Sequence, residues 1–333
     1  MTSLPATMRA IVVARPGGPD ALIIDQRPVP ACGDDDVLIK VAAIGLNRAD
    51  ILQRRGHYPS PPGAPDNPGL EAAGSIVAIG RNVREFRIGE AVCALLQGGG
   101  YSEYCAVNAG QVLPVPGSLT LVEAAALPEA CFTVWSNLYE FGRLRRGESL
   151  LVHGGSSGIG TCAIQVATAL GSQVYATAGN DDKARFCEQL GAVHAVNYKS
   201  QDFVAEILQR TGGRGVAVVL DMVGGTYLAR NLQVLTTEGR LVVIATQSGA
   251  RGELDLLRIM QQRLIVTGSL LRPRDAAFKR QVREKLLQHV WPLVVSGIIR
   301  PIVDRTFAFA EVAAAHAYME SGVHKGKIIL HVD

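Results

Sequence analysis

Residues Ser149-Leu-Leu-Val-His-Gly-Gly-Ser-Ser-Gly-Ile-Gly160 run on into Thr-Cys-Ala-Ile-Gln-Val-Ala-Thr-Ala-Leu-Gly171, and this stretch decides the fold. An apolar strand ends in a glycine-rich turn that opens directly into an amphipathic helix. That order aims backbone N–H groups and the positive end of a helix dipole at one point, which suits a pyrophosphate. The turn aligns with GxGxxG as Gly155-Ser156-Ser157-Gly158-Ile159-Gly160, with Ser157 where the middle glycine belongs. A serine hydroxyl can donate to phosphate and partly offset the less close backbone approach. The competing reading is a strand–turn–helix whose glycines serve only tight packing.

Outward from this turn, Leu150–His153, Gln173–Thr177, His194–Val196, Val216–Leu220, Leu241–Ile244 and Leu264–Thr267 read as strands. Helical segments at Asp181–Leu190, Phe203–Arg210 and Tyr227–Leu235 alternate with them. Such alternation implies a parallel, doubly wound sheet over roughly 129–270. The first third is β-rich, with Arg9–Ala14, Val37–Ile44, Ser75–Ile79 and Glu103–Val107 as strands and Asn47–Arg55 as a helix. Residues 275–333 offer a helix near Phe278–Val295, a strand at Ile302–Phe307, a helix near Glu311–Glu320 and a last strand, Lys327–Val332. Composition alone does not say whether they append to the sheet domain or return to the first.

The end of the second sheet strand separates NAD from NADP. An NAD site tends to place a carboxylate there for the ribose 2′-OH. Here it reads Ala178-Gly179, and Lys183 follows in the first turn of the next helix. A small residue leaves room for a 2′-phosphate and a cation neutralises it, which favours NADPH. Asp181 and Asp182 could instead reach the ribose, although an N-cap or first-turn acid is an ordinary structural role. Lys183 on a solvated helix face is the plain alternative.

The 333 residues are 48% apolar and 19% charged, as in a globular enzyme of about two domains. A net charge of +3 without a basic patch argues against nucleic acid. No secretory signal or run of ~20 apolar residues is seen, which argues against a membrane. Six scattered cysteines without a CxxC pair suit a reducing, cytoplasmic compartment. Pro68-Gly-Leu-Glu-Ala-Ala-Gly74 is similar to a zinc-dehydrogenase signature, but Leu70 stands where the ligand histidine would be. Leucine cannot ligate zinc and no Cys/His cluster compensates, so no metal is expected.

Further runs carry a specific resemblance: Asn47-Arg-Ala-Asp-Ile-Leu-Gln-Arg-Arg-Gly-His-Tyr58, Pro61-Pro-Gly63, Leu95-Leu-Gln-Gly-Gly-Gly100, Ala124-Ala-Ala-Leu-Pro-Glu129 and Gly326-Lys-Ile-Ile-Leu330. From about Met8 to its end the chain resembles the zinc-free quinone oxidoreductases of the medium-chain dehydrogenase/reductase superfamily, close to the p53-inducible type. The resemblance implies an α/β protein: a GroES-like β-barrel catalytic domain, 1–128 and 271–333, and a Rossmann NADPH-binding domain, 129–270. It implies an active-site cleft between them, a homodimer paired through the last sheet strand near Leu264–Leu270, and a loose tail at residues 1–7. An apolar edge strand is a liability unless paired, which gives the dimer a physical logic.

Hydride transfer to a quinone needs one donor near the oxygen where charge builds. The resemblance points to Tyr58, a phenol that stays protonated at neutral pH with a pKa of ~10. The alternative is an aromatic lid that only packs against the nicotinamide. Asn47 resembles a family asparagine on the nicotinamide side, and competes with a plain helix N-cap role paired with Asp50. On the cofactor side the resemblance adds Thr133, Lys183, Tyr198, Gln247 in the loop after the fifth strand, Leu270 and Lys327. Tyr198 as surface packing and Lys327 as an exposed lysine are the plain alternatives. His57 and His153 are acid–base candidates without a recognisable partner spacing. The expected activity is NADPH-dependent reduction of quinones or related conjugated carbonyls. An enoyl-thioester reductase, or an NADPH-binding sensor or structural protein, is the alternative.

Overall fold

The computed structural model describes residues 4–333. Contacts divide the chain into two units. One holds the described residues up to Phe132 with Arg272–Val295 and Arg300–Asp333, the other Thr133–Leu271 with Ser296–Ile299.

In the first unit β1 (Thr7–Val13) and β2 (Leu22–Pro28) form an antiparallel hairpin. Thr7 already pairs with Pro28, and Ala6 O accepts from the Val29 N–H. The loose tail expected at residues 1–7 therefore does not include Ala6 and Thr7, and residues 1–3 lie outside the described ones. β3 (Asp36–Gly45) is the longest strand, and α1 (Arg48–Arg54) follows it. β4 (Glu71–Ile79), β5 (Ala91–Leu95), β6 (Tyr104–Asn108) and β7 (Val112–Pro114) precede two short helices, α2 (Leu121–Ala124) and α3 (Pro128–Trp135). β3 pairs antiparallel with both β4 and β6, and its mostly buried alternation places Val37, Ile39, Val41 and Ile44 in the core.

The second unit alternates strand and helix: β8 (Ser149–Val152), α4 (Gly158–Ala169), β9 (Gln173–Ala178), α5 (Asp181–Gln189), β10 (His194–Asn197) and α6 (Phe203–Arg210). β11 (Val216–Asp221), α7 (Leu228–Val234), β12 (Leu235–Val243), α8 (Leu256–Gln262) and β13 (Ile265–Gly268) continue it. The sheet runs β10-β9-β8-β11-β12-β13 and every pairing is parallel. This is the doubly wound sheet the alternation predicts, and β11 is buried along its whole length because helices cover both faces. The strand order reverses between β8 and β11, the switch point beyond whose carboxyl ends open α/β sheets generally bind ligands.

The chain then forms α9 (Ala276–His289), α10 (Trp291–Val295), β14 (Val303–Ala308), α11 (Val312–Ser321) and β15 (Lys327–His331). β15 pairs antiparallel with β3 and parallel with β14, so the last strand joins the first unit's sheet. The single helix expected near Phe278–Val295 is two, broken at Val290. Pro292 has no N–H to donate and its ring would clash with the preceding turn, so α9 cannot run through it.

Candidate active site

The glycine turn is built by close approach. A Cβ on Gly160 would fall against the Gly154 carbonyl oxygen and 2.6 Å from Gly155 Cα, and one on Gly155 would fall 2.8 Å from Ala176 Cβ. Gly154 turns through φ +66°, a conformation L side chains rarely adopt. Ser157 is the N-cap of α4: its Oγ accepts from the Gly160 N–H at 3.0 Å and lies 3.9 Å from Met222 Sδ. The serine that breaks the glycine fingerprint thus starts the helix. The N–H groups of Gly158 and Ile159 stand in the first turn, where helix geometry leaves donors for a ligand. A diphosphate fits this cradle.

β9 ends at Ala178 without a carboxylate. Asn180, not Asp181, caps α5, accepting from the Lys183 N–H at 2.8 Å. Asp181 accepts from Asn197 Nδ2 at 2.7 Å, which ties it to the end of β10. Lys183 is 9% exposed, so it does not stand on a solvated face. The Tyr198 N–H bonds Ala178 O, and its hydroxyl lies 3.1 Å from where a Cβ on Gly179 would stand. Gly179 and Tyr198 are thereby brought together, with Lys183 one helical turn on.

Thr133 is buried, and its carbonyl accepts from Asn137 Nδ2 at 2.9 Å. Asn137 Oδ1 in turn accepts from Ser269 Oγ at 2.9 Å, which draws Thr133 toward the end of β13 and so toward Leu270. Gln247 is exposed after β12, its N–H 3.3 Å from Met222 O, and Leu270 is exposed after β13. His153 is wholly buried between Thr177 Oγ1 (3.0 Å) and Asn231 Oδ1 (2.7 Å), and burial pushes its pKa down to about 4. It is a neutral core histidine, not an acid–base group. His57 is exposed and lines a cavity of about 620 Å³ with Pro16–Pro19, Arg54, Arg55 and Glu320.

In the first unit Lys327, far from being an exposed lysine, is 6% exposed. Its Nζ donates to Leu46 O (2.8 Å) and Asn47 Oδ1 (2.7 Å) and pairs with the fully buried Glu71. Asn47 Nδ2 donates to Glu71 Oε1 (2.9 Å) and Gly45 O (3.2 Å). Asn47 holds the N-cap position, yet its side chain makes no cap bond because Lys327 and Glu71 hold it. The Asp50 half of the expected capping arrangement is present, accepting from the Asn47 N–H at 2.8 Å. Asp50 also accepts from the Gly69 N–H (3.2 Å) and Tyr101 OH (3.1 Å), and burial pushes its pKa up to about 6.

Tyr101 OH meets His316 Nε2 at 2.9 Å, and Arg54 Nη1 meets His316 Nδ1 at 3.2 Å. A guanidinium only donates, so Nδ1 accepts and Nε2 carries the proton. Each bond in this chain therefore points toward Asp50, which keeps Asn47 fixed from below. Tyr58 is half-buried beneath Arg272, whose guanidinium carbon lies 5.3 Å from the ring centroid. Burial and then Glu129 raise the Tyr58 pKa, while Arg272 opposes them, so the phenol keeps its proton.

Sequence reasoning missed Glu71, Arg272, Tyr101 and His316. Glu71 stands beside Leu70, whose departure from the zinc signature dominates the reading of that motif. Glu129 reads in sequence only as the end of a family run. Burial, then Glu71, pushes its pKa up to about 7, so the folded protein holds a proton that the unfolded chain releases above 4.5. Stability from this group is greatest at low pH and falls as pH rises from about 4.5 to 7. Thermal melts of Glu129→Gln across that window are expected to show a shallower fall than the parent, and equal slopes would refute the assignment.

An alcohol dehydrogenase GroES-like domain model matches residues 33–117 and a zinc-binding dehydrogenase model residues 190–330. The quinone oxidoreductase of Rattus norvegicus is 32% identical over 339 residues, covering 97% of this chain and 97% of that protein. A phenolphthiocerol/phthiocerol polyketide synthase chain of Mycobacterium tuberculosis is also 32% identical over 96% of this chain, which spans only 14% of that protein's length. Among solved structures, the Escherichia coli quinone oxidoreductase complexed with NADPH superposes with TM-score 0.85 at 29% identity, covering 97% of this chain and 99% of that one. CurK enoyl reductase superposes with TM-score 0.86 at 28% identity, covering 98% and 99%. Among the described residues no helix is long and apolar enough to cross a membrane, and no group of three His, Cys, Asp or Glu is placed to hold a metal ion. This chain is an oxidoreductase of the medium-chain dehydrogenase/reductase superfamily and belongs to its quinone oxidoreductase family.

Proposed function

We propose that this protein is an NADPH-dependent, zinc-independent reductase of quinones and related conjugated carbonyl compounds. The observation that carries the reading is Tyr58, a neutral phenol stacked under a fixed guanidinium in a unit similar throughout to quinone oxidoreductases. Gly155, Ser156, Ser157, Gly158, Ile159 and Gly160 would hold the diphosphate. Gly179, Lys183 and Tyr198 would hold the 2′-phosphate and adenosine. Asn47, Thr133, Gln247, Leu270 and Lys327 would hold the nicotinamide side, with residues 1–128 and 271–333 as the catalytic domain and 129–270 as the cofactor domain. When bound, the reduced nicotinamide supplies a hydride. Asn47 would orient the carboxamide side of its ring, because Lys327 and Glu71 leave it one rotamer. Tyr58 would donate its O–H to the acceptor oxygen as charge builds there, and solvent supplies the proton that completes the hydroquinone.

The test is NADPH oxidation with 1,4-naphthoquinone, with NADH in parallel and a trans-2-enoyl thioester as rival acceptor. Quinone turnover with NADPH preferred is the expected result. Turnover of the thioester alone would replace this reading by the second one, an enoyl reductase, which the likeness to CurK favours. Tyr58→Phe removes one donor and is expected to lower kcat by about 10²-fold. An unchanged kcat would leave Tyr58 a packing residue.

The reading includes a cytoplasmic homodimer. β13 is an edge strand whose Ile265 (46%) and Val266 (39%) are exposed, as are Leu257 (59%) and Met260 (68%) on α8, which precedes it. A second copy pairing along β13 would cover this apolar face. Sedimentation of the parent as a dimer and of Val266→Lys as a monomer is the expected outcome, and a monomeric parent would end it.

A further inference from the structure

We infer that Arg272 is a second oxyanion donor: its free Nη1 N–H, beside the Tyr58 ring, takes the oxygen of an acceptor that becomes a phenolate or enolate. This rests on the functional reading above and deepens it by adding a catalytic residue that the sequence motifs do not mark.

Arg272 is 5% exposed, and its remaining hydrogen-bonding groups are held. Nε donates to Gln97 O at 2.7 Å and Nη2 to Ser60 Oγ at 3.0 Å. Its own carbonyl accepts from Lys279 Nζ at 3.1 Å and Gln97 Nε2 at 3.3 Å. Nη1 alone is buried without a partner. A buried donor left unmade costs free energy, and folded proteins seldom retain one unless something else completes it. The Gly98-Gly99-Gly100 run explains how the guanidinium is seated. A Cβ on Gly98 would fall 2.7 Å from Pro65 O and 3.2 Å from Arg272 Nη2. The loop is glycine so that it can close over the fork.

With Nε and Nη2 held and the Tyr58 ring 5.3 Å from the guanidinium carbon, the fork is fixed and the N–H groups of Nη1 are left for an acceptor. Burial lowers the Arg272 pKa, and the Asp50 and Glu129 carboxylates oppose that shift when ionised. A preorganised cation stabilises a developing oxyanion more than a neutral phenol does, since no dipole must reorient when the charge appears. The balance is simple. The hydride adds to the acceptor with its electron pair, the carbonyl π pair moves onto oxygen, Arg272 and Tyr58 bind that anion, and solvent protonates it.

Arg272→Met and Arg272→Lys, with Ser60→Ala as a milder variant that keeps the charge and frees the fork, test this in two ways. In NADPH-driven reduction of 1,4-naphthoquinone, Arg272→Met is expected to lose about 10²-fold in kcat/KM with the NADPH Kd unchanged. Arg272→Lys restores part of that loss, and Ser60→Ala costs several-fold. Separately, 4-nitrophenol, whose phenolate absorbs in the visible, is titrated against the parent with NADP⁺. Binding as the phenolate with a lowered pKa, lost in Arg272→Met, is expected. If the parent reduces neither quinone nor thioester, the functional reading falls and the phenolate titration alone decides Arg272. Parent-like kcat/KM in Arg272→Met, or phenolate binding that is absent from the parent or unaltered across the variants, overturns the proposal.

Discussion

Lys327→Met is expected to destabilise the protein by about 3–5 kcal/mol in denaturant titration, the usual cost of stripping one partner from a buried ion pair. Glu71 is wholly buried, and Lys327 is its one ion-pair partner among the described residues. Two further acceptors, Leu46 O and Asn47 Oδ1, lose the same ammonium. Methionine matches the stem in volume, so the loss reports charge rather than a cavity. The double variant Lys327→Met/Glu71→Gln removes the stranded carboxylate and is expected to recover more than half of that loss, giving a coupling energy well above the error of additivity. Activity does not follow stability here. Asn47 Nδ2 keeps its acceptor at position 71 in both variants, because a carboxylate, its protonated form and an amide all offer an oxygen, but Asn47 Oδ1 loses Lys327 in both, so turnover falls in both while the melt recovers in the second. A single variant within 1 kcal/mol of the parent would refute the assignment of Lys327 as the ion that fixes Asn47.

What the sequence made legible follows from the range of the forces involved. The parallel sheet was readable because strands covered on both faces appear as short continuous apolar runs, and because Gly155–Gly160 marks the first crossover. β2 escaped notice because Leu22–Pro28 is exposed along most of its length and carries Asp25, Gln26, Arg27 and Pro28. β7 is three residues long, too short for any alternation. The glycine turn is local in sequence and could be read whole, down to its irregular serine. The polar contacts of the first unit are assembled from distant pieces: Lys327 meets Asn47 across 280 residues, and Arg272 meets Ser60 across 212. No spacing rule reaches that far. Hence a solvated lysine stays an open alternative for both Lys183 and Lys327, and Arg272 lies in a stretch with no periodic signal to mark it.

Gly160→Ala is expected to cost more in NADPH affinity than any other single methyl added to the turn. Its Cβ would meet the Gly154 carbonyl and Gly155 Cα, which are backbone and cannot swing aside as a flexible side chain does. Relief requires the first turn of α4 to move away from β8, carrying the Gly158 and Ile159 N–H groups off the point on which they converge. Overpacking of this kind costs about 1–3 kcal/mol. If that strain is relieved only by displacing the phosphate donors, the NADPH Kd rises about 5- to 150-fold. Ser157→Ala separates the two roles of the turn. It removes the cap bond to Gly160 and costs about 1 kcal/mol of stability, yet leaves the remaining first-turn N–H groups in place, so its Kd rises only a few-fold. Gly117→Ala, at a position with open space around the added methyl, serves as the control and is expected to bind as the parent does. Fluorescence titration with NADPH orders the three variants. Were Gly160→Ala to bind like Gly117→Ala, the glycines would serve strand–helix packing alone and the diphosphate would have to be held elsewhere.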